Sequence, residues 1–110
     1  MSQLLDKQIK FARLVPKLID RAFELGYAVT LGDAYRDPRC PYGSEVSLHR
    51  DRLAIDLNKF IKEGNVWVFK TNTTDHRELG EWWENLDLDC AWGGRFNDGN
   101  HYSLKYGGRK

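Results

Sequence analysis

The sequence predicts an α+β domain in which helices pack on a small antiparallel sheet. Three observations carry this prediction. Apolar residues recur at three-to-four spacing through the first 25 residues and again up to about Leu86. The segments between and after these helices are short, rich in β-branched and aromatic residues, and punctuated by glycine. Glu63-Gly64-Asn65 separates two such segments closely enough to predict an antiparallel hairpin.

Residues 2–25 read as helix, because Leu4, Phe11, Leu14, Leu18, Ala22 and Leu25 fall on one stripe. Ser2 suits the N-cap and Gly26 the stop. Pro16 interrupts the pattern, and either kinks this helix or begins a second one at its first turn. Residues 27–31 predict a strand, and 32–47 a turn followed by a loop containing Pro38, Pro41 and Gly43. Residues 53–60 and 66–69 are the two arms of the hairpin. Thr73 or Thr74 caps a helix running to about Leu86, with Leu79, Trp82, Trp83 and Leu86 on its buried side. Residues 90–92 predict a short strand, 93–100 a glycine-rich loop and 101–104 the last strand; the tail beyond is expected to be mobile.

At 110 residues the chain, 1–110, is expected to be a single domain around one core. With 41% hydrophobic residues, 13% aromatics and four tryptophans, the material for that core is present. The formal net charge of +1 gives no footprint of nucleic-acid binding, and no nucleic-acid partner is expected. No apolar run approaches the roughly 20 residues that cross a bilayer, and the first residues lack the apolar core of a signal peptide. A monomer made in the cytosol, without membrane insertion, is the expectation. Cys40 and Cys90 lack the spacing of a metal-binding pair and read as free thiols.

Two stretches could carry chemistry. His49 and Asp56 flank the start of a strand-like run, and an acid among apolar strand residues is costly unless paired or bound to a cation. His101 stands three residues after Asp98, beyond Gly99 and Asn100. His49, Asp56 and His101 would supply two imidazoles and a carboxylate, a donor set suited to catalytic zinc, with Asp98 beside them as a general base. Geometry makes a demand here. Seven extended residues would separate His49 from Asp56 by roughly 23 Å, so the chain must turn back between Arg50 and Leu53. Arg36, after a strand, could hold a substrate carboxylate or a developing oxyanion. Other readings stand beside these: His49 exposed in a loop, Asp56 paired with Arg52 or Lys59, and Asp98 as a turn former. His76, after Asp75 at a helix start, reads as a solvated first-turn residue outside the site. Trp82 and Trp83 read as core, and the role of Trp92 beside Gly93-Gly94 is open.

The segment from Ser47 through His49 and Ala54 to Asp56 resembles the S-x-H-x-x-G-x-A-x-D signature of the zinc D-alanyl-D-alanine carboxypeptidases of the VanY type. The same signature marks the related L-alanyl-D-glutamate endopeptidases of bacteriophage endolysins. Asp98-Gly99-Asn100-His101 is similar to that family's second motif, and Gly32-Asp33-Ala34-Tyr35-Arg36 to its upstream Y-R element. Together the three stretches span residues 32–101. The resemblance implies a hedgehog/D-Ala-D-Ala peptidase-like α+β fold. It also implies His49, Asp56 and His101 as zinc ligands, Asp98 as catalytic base, Arg36 as substrate or transition-state contact, and Ser47 as a supporting, substrate-side residue. Two positions depart from the pattern: Arg52 stands where the signature has glycine, and Asp98 where many members have glutamate.

The resulting expectation is a zinc metallopeptidase that cleaves an amide bond in the peptidoglycan stem peptide. An endolysin-type L-alanyl-D-glutamate endopeptidase comes first. D-Ala-D-Ala carboxypeptidase activity, or a non-catalytic zinc-stabilised wall-binding domain, are the rivals. Such an enzyme would wait in the host cytoplasm before reaching the cell wall, or travel with a virion.

Overall fold

A computed structural model of the chain describes residues 3–37, 39 and 47–110. Helix α1 (Gln3–Glu24) is continuous through Pro16, so no second helix begins there. Pro16 and Ala12 both lie on the exposed face, where water can take the carbonyl that proline leaves without a donor. The expected stop at Gly26 is present as a Schellman turn. Gly26 has φ +89°, its N–H donates to the Phe23 carbonyl, and the Tyr27 N–H donates to that of Ala22. The Ser2 cap lies outside the described residues.

Five strands form one antiparallel sheet: β1 (Ala28–Leu31), β2 (Ala54–Glu63), β3 (Val66–Lys70), β4 (Cys90–Trp92) and β5 (His101–Leu104), in the order β1-β2-β5-β4 with β3 also on β2. With α1 and α2 (Arg77–Leu86) packed on it, the fold is α+β. β2 is the spine. Its first residues pair with β5 and its later ones with β1 on one edge and β3 on the other. Gly64, at φ +61°, takes the first central position of the two-residue hairpin loop.

The core lies between the helices and one face of the sheet. Phe11, Leu14, Leu18 and Ala22 of α1 meet Leu79 and Trp83 of α2 over Leu57, Tyr102 and Leu104. The Trp83 indole N–H donates to the Ala91 and Ser103 carbonyls, both at 3.1 Å, and so ties α2 to β4 and β5. Trp83 is thus core, as expected, and Trp92 is too, at 2% exposed.

Three local expectations are corrected. A 3-10 turn, Thr73–His76, precedes α2, and its cap is Asn72, whose N–H donates to the Asp75 carboxylate at 3.0 Å. His76 is buried, because it turns inward to the Tyr102 hydroxyl at 2.8 Å. The tail is attached: Tyr106 bridges to Arg109, whose guanidinium pairs with Asp51. Among the described residues no helix is long and apolar enough to cross a membrane.

Candidate metal centre

The turn demanded between His49 and Asp56 is made by a 3-10 helix, Leu48–Asp51, closed by Arg52 in the left-handed region. The Ser47 hydroxyl caps it, accepting the His49 N–H at 3.2 Å. Arg52 and Leu53 donate back to the His49 and Leu48 carbonyls, at 3.2 and 2.9 Å. The chain then enters β2, where side chains alternate between faces. Ile55 and Leu57 point into the core and Asp56 to the opposite side.

Asp56 stands directly across from His101 on β5. The neighbouring rung is hydrogen-bonded, Leu57 N–H to the Asn100 carbonyl at 2.9 Å. The Asp56–His101 pair is therefore the non-bonded kind, in which facing side chains come closest. On its other edge Asp56 is fixed by β1 and its continuation: its N–H donates to the Asp33 carbonyl and its own carbonyl accepts from Gly32, each at 2.8 Å.

These constraints bring three side chains together. His49 Nε2 lies 3.1 Å and His101 Nδ1 3.7 Å from Asp56 Oδ1, and the rings stand edge to face with centroids 5.1 Å apart. One donor atom from each of the three fits within 4.8 Å of the others. A tetrahedral zinc with bonds of about 2.0–2.1 Å holds its ligand atoms roughly 3.4 Å apart, and the two contacts to Asp56 bracket that spacing. The outer nitrogens, His49 Nδ1 and His101 Nε2, are buried without a hydrogen-bond partner among the described residues. A cation held by the inner nitrogens would leave each neutral ring its proton on the outer nitrogen. Burial pushes the Asp56 carboxyl up, but the hydrogen bonds and charges of His101 and His49 outweigh it and hold it near 2. The group could hold a metal ion, and the donor set fits one that accepts imidazole and carboxylate.

Asp98 lies at the rim. The Asp98–His101 segment is a tight turn, closed by the His101 N–H on the Asp98 carbonyl at 3.1 Å. Asp98 Oδ2 lies 3.8 Å from His101 Nδ1, on a side chain 51% exposed, so it faces both the cluster and solvent. Arg36 is joined to the site through its backbone, its N–H donating to the His49 carbonyl at 3.1 Å. Its guanidinium, 10% exposed, lies 3.4 Å from Asp33.

The alternative readings of the ligands do not describe this arrangement. His49 is buried. Lys59 lies over the Tyr27 ring and donates to the Asp75 carbonyl, while Arg52 lies over Tyr35. Asp98 forms a turn as well as facing the cluster. Sequence reasoning missed Asp33, which anchors Asp56 and Arg36, and Phe96, whose ring meets His101 at 5.5 Å. A signal for Phe96 existed in its place in the loop that delivers His101. Cys90 is buried and its thiol is pushed up to about 12, first by burial, so it is inert at neutral pH; Cys40 lies outside the described residues. In comparisons with known proteins, no family model and no curated sequence matches this chain.

Proposed function

We propose that the chain is a zinc metallopeptidase acting on the stem peptide of bacterial peptidoglycan, as an L-alanyl-D-glutamate endopeptidase of the endolysin kind. The observation that supports this reading best is the convergence of His49, Asp56 and His101 with the half-exposed Asp98 carboxylate at their rim. A buried cluster alone suits a structural ion. A carboxylate facing both cluster and solvent suits one that does work on water.

His49 Nε2, His101 Nδ1 and the Asp56 carboxylate would hold the ion. Zinc bound there supplies Lewis acidity toward the scissile carbonyl and a water of lowered pKa. Asp98 takes the proton from the attacking water as the C–O bond forms. It returns that proton to the amide nitrogen as the C–N bond breaks, releasing a carboxylate and an amine. Arg36 holds negative charge, either a carboxylate of the substrate or the oxygen of the tetrahedral intermediate. Ser47 acts one step back, through its cap on the His49 turn.

The test is hydrolysis of purified peptidoglycan by the zinc-loaded protein, with mass spectrometry of the fragments. New L-alanine carboxyl and D-glutamate amino ends are expected. Release of terminal D-alanine instead would assign carboxypeptidase activity. Asp98→Ala is expected to lower turnover by about 10²–10⁴-fold with zinc content unchanged. Undiminished hydrolysis by that variant would remove Asp98 as the base, and no hydrolysis by wild type with zinc bound would leave only a binding domain.

A further inference from the structure

Trp92 ends β4 and pairs with Tyr102, the residue after His101. Its indole N–H donates to the Gly99 carbonyl at 2.7 Å, and both residues are buried. Gly99 is the second residue of the Asp98–His101 turn. The indole thus grips the middle of a four-residue segment whose two ends are the proposed base and one metal-ligand candidate.

The space around the ring is cut to its shape. A Cβ on Gly80 of α2 would stand 2.1 Å from the ring, and one on Gly94 2.2 Å from it. A Cβ on Gly93 would stand 2.1 Å from the Asp98 carbonyl oxygen and 2.7 Å from His101 Cβ, so the turn lies directly on this backbone. Arg95 lies 5.3 Å over the ring and is itself fixed to Glu84 of α2 at 2.7 Å. These approaches reach both rings of the indole, and satisfying the buried Gly99 carbonyl takes its N–H. Without that donor the carbonyl must move to find water, and the turn moves with it.

We infer that Trp92 is a positioning residue. Through its bond to Gly99 it sets where the Asp98–His101 turn holds the His101 imidazole against Asp56 and His49, and with it the affinity of the cluster for a divalent cation. The inference rests on reading the cluster as a metal site.

Trp92→Phe keeps a flat ring and removes the donor. Zinc affinity measured against a competing chelator is expected to fall about 10-fold, in the range typical of groups that orient ligands. A role in packing alone would lower the melting temperature and leave affinity unchanged. Equal zinc affinity in variant and wild type would therefore overturn the role of Trp92 and leave the metal reading standing. Absence of zinc binding by wild type would overturn both. A second measurement needs no variant. If opening of the turn releases the ion, saturating zinc must slow hydrogen exchange at the Trp92 indole N–H by 10-fold or more. The Trp83 indole, held by Ala91 and Ser103, serves as the internal reference. Trp92 exchange that zinc slows no more than that of Trp83 would overturn the inference.

Discussion

The two faces of β5 present two buried histidine environments. Tyr102 points to the helix side, where its hydroxyl meets His76 Nδ1 at 2.8 Å, and His101 points to the other face, where it meets Asp56 and His49. The three histidines are buried to similar depth, at 2, 3 and 5% exposed for His76, His49 and His101. Depth therefore does not separate them; the partner does. Facing a hydroxyl, His76 is driven by burial first and by the Lys59 charge second, and its pKa falls to about 4. It is a neutral strut. On the opposite face two imidazoles converge on one carboxylate, a group that could hold a metal ion.

The largest expected effect breaks this comparison if it fails. Asp56→Ala removes the anionic ligand and should weaken zinc binding by more than about 100-fold, beyond the range of outer-shell changes. His76→Gln should leave affinity within about 2-fold, because His76 meets Tyr102, whose side chain leaves the face of β5 opposite to that of His101. Calorimetric titration of both variants reads this directly. Comparable losses in the two would mean that the faces are coupled and the distinction between them is false.

The same contrast explains what could be read from the sequence. On the site face local rules supply the pieces, and the resemblance to the peptidase signature joins them. A two-residue alternation puts Asp56 opposite the core residue Leu57, and a short polar stretch before β2 has to turn back. The glycine-bounded turn then places Asp98 and His101 three apart. The helix face of His76 follows from nothing local. It sits in the polar run Thr73-Thr74-Asp75-His76, and its burial is decided by Tyr102, 26 residues on. The cap of that turn is Asn72 and neither Thr73 nor Thr74 for a related reason, since the Asp75 carboxylate closes on the Asn72 N–H. Pro16 was ambiguous because its cost depends on whether Ala12 faces water, which only packing decides. Trp92 was open because its partner, Gly99, is a backbone carbonyl with no side-chain signature.

Acid should separate the two faces in the metal-free protein. The folded pKa of His76 is lowered, so between about 6.5 and about 4 the unfolded chain binds a proton that the native chain refuses. Stability from this group is complete above pH 6.5 and is lost as pH falls to about 4, by up to roughly 3 kcal/mol. Asp56 is also lowered, but it is a carboxylate: its contribution is complete above the ordinary carboxylate range and is lost as pH falls toward about 2. Urea denaturation from pH 7 to 3, compared between wild type and His76→Gln, should show a difference that develops only in the upper window. Identical pH profiles would mean that His76 is not held neutral by its burial.

The smallest effect sharpens the site side, through the residue that stands where the peptidase signature this stretch resembles has glycine. Arg52 has φ +59° and ψ 34°, a conformation costing a non-glycine residue about 1–2 kcal/mol. Its guanidinium lies 4.1 Å from the Tyr35 ring centroid, which returns about 0.5–1 kcal/mol. Arg52→Ala keeps the strain and loses the ring, so it should destabilise the protein by roughly that amount. Arg52→Gly relieves the strain, loses the ring and frees the unfolded chain. These terms nearly cancel, leaving stability within about 0.5 kcal/mol of wild type. Thermal melts should therefore rank glycine above alanine at this position. Because the Arg52 N–H closes the turn on the His49 carbonyl, that order would show that the turn carrying His49 requires a left-handed residue at its end. An alanine variant as stable as the glycine one would mean that the left-handed conformation at position 52 carries no strain for glycine to relieve.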